Sequence, residues 1–67
     1  MFISSAVRSS IASYVKDKKA EALAAFKVSR TCYTAKDYPS ADHWMKEAKR
    51  HVHDIREITK FLNENPA

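Results

Sequence analysis

The sequence predicts an all-α protein, either an antiparallel helical hairpin or a three-helix bundle, that associates with itself. Three observations predict it. Glycine is absent and proline occurs only at Pro39 and Pro66, so little interrupts helical backbone. Apolar residues recur at steps of three and four along two long stretches, the period of one helix face. One strong break, Lys36-Asp37-Tyr38-Pro39-Ser40, separates the stretches, and no segment shows the two-residue alternation of a strand.

The first helical segment covers about residues 4–35. Its apolar stripe runs Val7, Ile11, Tyr14 and Val15, then Ala22, Phe26, Ser29 and Tyr33. The stripe thins at Lys18-Lys19, where an apolar residue is due. The chain therefore either bends near 16–19, making a third helix, or continues as one rod of roughly 45 Å at 1.5 Å per residue. The turn at 36–40 follows from proline chemistry: without an amide hydrogen, Pro39 is comfortable only at a helix start. Asp37 or Tyr38 is then the N-cap, and the Asp37 carboxylate is the better acceptor for orphan amides.

The second helix spans about residues 40–63. Ala41, Trp44 and Met45, Ala48, Val52, Ile55, Ile58 and Leu62 hold the three-and-four spacing, and charges of both signs fill the opposite face. Asn63-Glu64-Asn65-Pro66 ends it: asparagine tolerates the left-handed conformation and proline stops propagation.

With 67 residues, the chain holds one small domain, residues 1–67. A short turn forces the two helices antiparallel. A bare hairpin buries one seam and leaves the far sides wet, so a third helix or self-association is the expected remedy. Cys32 is the only cysteine and cannot form an internal disulfide. No apolar run approaches the length of a membrane span, and the opening residues are too polar for a secretory signal. The expected compartment is the cytoplasm.

Net charge is +4, and all of the excess falls in the first half. Residues 1–35 carry six basic groups against Asp17 and Glu21, while residues 36–67 are balanced. A basic half attracts nucleic acid, anionic membrane or acidic protein. The candidate phosphate contacts are Lys16, Lys18, Lys19, Lys27 and Arg30, although no zinc finger, base-stacking platform or helix-turn-helix glycine accompanies them.

The stretch Tyr33-Thr34-Ala35-Lys36-Asp37-Tyr38-Pro39-Ser40-Ala41, followed by Trp44, Met45 and Ala48, resembles the core of a tetratricopeptide repeat. There an aromatic closes the first helix, a Gly-Asp-Tyr turn follows, and small residues let the helices approach; here Lys36 stands where glycine is usual. Cys32-Tyr33, Asp37, Ala41, Ala48 and His51 are also similar to the helical region that precedes Smr (small MutS-related) nuclease domains. Both resemblances imply contact with protein or nucleoprotein rather than catalysis.

Chemistry-bearing residues are sparse. His43, Glu47 and His51 lie four apart and so share a helix face. They do not make a His-Glu-x-x-His zinc motif, and His53 points elsewhere. A solvated or partner-facing histidine row is the reading they support. Cys32 lacks an orienting base and reads as packing. Trp44 belongs with the Ala41–Ala48 stripe as core, and Tyr38 staples the turn; either becomes an interface anchor where exposed. The glycine-free sequence excludes a phosphate-cradling loop.

The expected function is therefore non-enzymatic, without cofactor or metal. The module docks on itself or on a larger protein, modulating or inhibiting it, through Tyr38, His43, Trp44, His51, Ile55 and Phe61. The alternative is a small basic nucleic-acid-binding protein.

Overall fold

The computed structural model describes residues 3–65, which form two helices packed against each other. Helix α1 spans Ser5–Thr34 and helix α2 spans Tyr38–Glu64. Among the described residues there is no strand and no third helix. The rod measures 49 × 16 × 10 Å.

Each helix end has a local cause. The Ser4 hydroxyl accepts from the Val7 amide at 3.3 Å, capping α1. At the other end the Lys36 amide donates to the Tyr33 carbonyl at 3.0 Å, and the Asp37 amide donates to the Cys32 carbonyl at 2.8 Å. Those two bonds make a Schellman motif, with Lys36 in the left-handed region at φ 65°. That conformation is why a glycine would suit the position: a side chain there meets the following carbonyl.

Asp37 then caps α2, its carboxylate accepting from the Ser40 amide at 3.3 Å. The helix begins at Tyr38 rather than near 40, because Pro39 in the first turn gives up an amide that has no partner there anyway. At the far end Asn65 is not left-handed (φ −128°); its side-chain amide instead donates to the Phe61 carbonyl at 2.9 Å.

Helix α1 runs straight through Lys16–Lys19, so the hairpin replaces the three-helix alternative. Lys18 explains the gap in the stripe. Its stem lies half-buried along the seam while its ammonium reaches Asp54 at 3.7 Å and the His51 ring at 3.3 Å. A long amphipathic side chain thus fills a seam position without a break in the helix.

The seam itself is made of small residues near the turn. Ala22, Ala25 and Ser29 of α1 face Ala41 and Ala48 of α2, and Ala48 is wholly inaccessible. Close approach lets the Ser29 hydroxyl donate to the Ala41 carbonyl at 2.7 Å in a buried bond between the helices. Toward the open end larger side chains take over: Ile11, Val15, Ile55, Ile58 and Leu62, all only half-buried. The ends are held by Ile3, which is buried, and by Arg8, which donates to the Asn65 carbonyl.

Candidate functional site

The two sides of the rod differ in chemistry. On one side the seam is crossed by charge: Lys18 reaches Asp54, and His51 Nδ1 lies 3.6 Å from the Glu21 carboxylate. That same nitrogen is 3.3 Å from the Lys18 ammonium. With Nδ1 unprotonated the ring accepts there from Lys18, while the Glu21 carboxylate stands at ion-pair and not at hydrogen-bond distance. The Lys18 ammonium also stands 5.5 Å over the Tyr14 ring. Beyond this cluster, an open groove lined by Ala6, Val7, Ser10, Ile11, Tyr14 and Ile58 runs toward the open end.

The opposite side carries no such cross-helix ion pairs among the described residues. One depression there is lined by Ala12, Val15, Lys16, Lys19, Thr59 and Leu62. Nearer the turn, Leu23, Phe26, Lys27 and Arg30 line a second, and Phe26, Ser29, Arg30, Tyr33 and Met45 line a third. Of the five basic candidates, Lys16, Lys19 and Arg30 line depressions shared with α2 on this side, Lys27 lines one formed by α1 alone, and Lys18 is held on the other side.

The six partner-facing candidates do not form one surface. Tyr38 is exposed at the turn, its ring edge-on to Tyr33 at 5.3 Å. His43 and Trp44 make a similar edge-on pair at 5.3 Å, and Trp44 is exposed instead of lying in the core. Alanines make the crossing, and the indole is left at its edge. His51 is half-buried in the charged cluster, Ile55 sits in the seam, and Phe61 is exposed toward the open end. Tyr38 and Phe61 are about 34 Å apart along α2.

The histidine row does not assemble: Glu47 pairs with Arg50 at 3.2 Å, while His51 turns to Glu21. Among the described residues no three His, Cys, Asp or Glu side chains come together as a metal site. Cys32 is half-buried beside the turn. Among the described residues no helix is long and apolar enough to cross a membrane.

The exposed residues that sequence reasoning missed are Leu23 and Val28, while Val7, Tyr14, Phe26 and Tyr33 of the expected stripe lie exposed at its edges. Leu23 is 61% exposed and Tyr33 65%. The available signal was width. An apolar stripe wider than one seam, with alanines at its centre, leaves its large members on the flanks.

No protein-family model matches the chain, and neither the curated proteins nor the solved structures searched contain a match to it.

Proposed function

We propose that this hairpin is a non-enzymatic docking module that works by covering its apolar flanks with another protein surface, a second copy or a larger protein. One observation carries the reading. Among the described residues Ile3 is the one large apolar side chain that is buried, and nine large apolar residues stand exposed beside the seam and at the turn.

The magnitude agrees. A compact monomer of this mass exposes about 4,300 Å², whereas the chain exposes 5189 Å². The excess, roughly 890 Å² of polar and apolar surface together, is close to the share each partner gives to a standard protein interface. Isolated exposed apolar residues are ordinary; rows of them on both sides of a seam are the pattern of an interface.

Light scattering on the eluting protein, combined with binding of an apolar-surface dye, tests this. A mass above that of one chain supports the reading, as does a monomer that binds the dye. A monomer that leaves the dye unbound overturns it.

A further inference from the structure

We infer that the groove between α1 and α2 on the side opposite the Lys18–Asp54 pair takes an acidic amphipathic helix from another protein, which completes a three-helix bundle. The inference rests on the docking reading and names the partner's chemistry.

Two matching rows define the groove. Along α1, Lys19, Leu23, Phe26, Arg30 and Tyr33 follow steps of four, three, four and three; along α2, Met45, Lys49, Val52, Arg56 and Thr59 follow the same steps. Such spacing keeps each row on one helix face. Met45 shares a depression with Phe26 and Arg30, and Thr59 shares one with Lys16 and Lys19, so the two rows lie side by side. Neither row contains an aspartate or glutamate. Lys16, Lys19, Lys27, Arg30, Lys49 and Arg56 take part in no ion pair among the described residues. The interhelical pairs use Glu21 and Asp54 on the other side.

The floor is apolar and the rims are cationic. On α1 Leu23 is exposed and Phe26 partly so; on α2 Met45, which shares a depression with Phe26, and Val52 are half-buried. An occupant that matches both features carries an apolar edge with carboxylates on either side of it. An acidic amphipathic helix has that pattern, and a groove between two helices is the shape that receives one. The row from Lys19 to Tyr33 is about 21 Å long, the length of a helix of about 14 residues.

Two other occupants fit less well. A second copy placed here by a two-fold axis would set the same cations against each other. A nucleic-acid strand matches the rims and can stack on Phe26 and Tyr33, but it leaves the aliphatic surface of Leu23, Met45 and Val52 without a partner, and an oligothymidine probe separates the two.

The test is fluorescence anisotropy with a labelled peptide of about 18 residues, leucines on one helical edge and glutamates flanking them. A second peptide has the same composition in scrambled order, and an oligothymidine of equal length is the third probe. The patterned peptide binds saturably, at least about tenfold tighter than the scrambled one, and weakens between about 50 and about 200 mM salt. Replacing Lys27 and Arg30 together by glutamate weakens it by about tenfold or more, and Leu23→Ser by about fivefold. Lys46→Glu, which alters a cation already paired with Asp42, changes it by less than about twofold. All these positions are exposed, and far-UV circular dichroism confirms that each variant is helical.

Equal binding of the two peptides overturns the inference, as does tighter binding of the oligothymidine or an absence of saturable peptide binding. A chain that ignores the patterned peptide yet elutes as a dimer refutes this occupant and leaves the docking reading standing.

Discussion

The two ends of the rod are held together in different ways. Toward the turn, Ala22, Ala25, Ser29, Ala41 and Ala48 meet almost without solvent access, and a buried hydroxyl bonds across the seam. Toward the open end, Ile11, Val15, Ile55, Ile58 and Leu62 present far more apolar surface, yet every one stays half-exposed. The difference teaches that side-chain size and degree of burial need not run together. Small residues bring two backbones close enough to exclude water by themselves. Large ones hold the helices apart and need a third surface to finish the job.

The contrast sets an order of expected effects. Enlarging the close contact does the most damage. Ala48→Leu places three extra carbons where nothing is accessible and destabilises the hairpin by about 3 kcal/mol; loss of the cooperative thermal transition is the readout. Truncation at the open end does less. Ile58→Ala lowers stability by about 1 kcal/mol, below the usual range for a fully buried isoleucine, because water already covers part of the side chain. A denaturant midpoint that falls as far as for Ala48→Leu would erase the contrast between the ends.

Ser29→Ala removes the buried bond to the Ala41 carbonyl and costs about 1 kcal/mol in chemical denaturation, with the helix content unchanged. Lys36→Gly acts in the opposite direction. It relieves a side chain held at φ 65° and stabilises by about 1 kcal/mol, seen as a raised melting temperature. The smallest effect belongs to the charged cluster. Asp54→Asn changes stability by less than about 0.5 kcal/mol, since the pair with Lys18 is partly exposed and open to screening.

Much of this architecture is legible in the residues. Pro39 with Asp37 marks the turn, and the three-and-four spacing marks both helices. The thinning at Lys18-Lys19 is ambiguous because a hydropathy pattern counts lysine as polar, whereas its stem packs as an apolar residue does. The left-handed residue at Lys36 is signalled only by the repeat resemblance, in which a glycine holds that place, because no glycine stands there to announce it. The structure also keeps only part of the expected core: Ala22, Ser29, Ala41 and Ala48 of the two stripes are buried. Apolar ranking puts Phe26, Tyr33 and Trp44 inside, but closest approach selects alanine and serine, and the aromatics move to the flanks.

The candidate site was less legible still. Lys16, Lys19, Lys27 and Arg30 can be chosen by their sign from the sequence. Which of them share a side with the cations of α2, and that Lys18 does not, depends on the register between the helices. That register is set by the small-residue crossing and not by the charges themselves.

Thermal melts followed by circular dichroism over a hundredfold range of protein concentration test the central claim most directly. A chain whose apolar flanks call for a cover melts at a temperature that rises with concentration when the cover is a second copy. When the cover is a different protein, the lone chain melts at or below about 45 °C, the low edge of ordinary domains. A sharp transition above about 65 °C that does not move with concentration would contradict the claim, because the hairpin would then be complete as it stands.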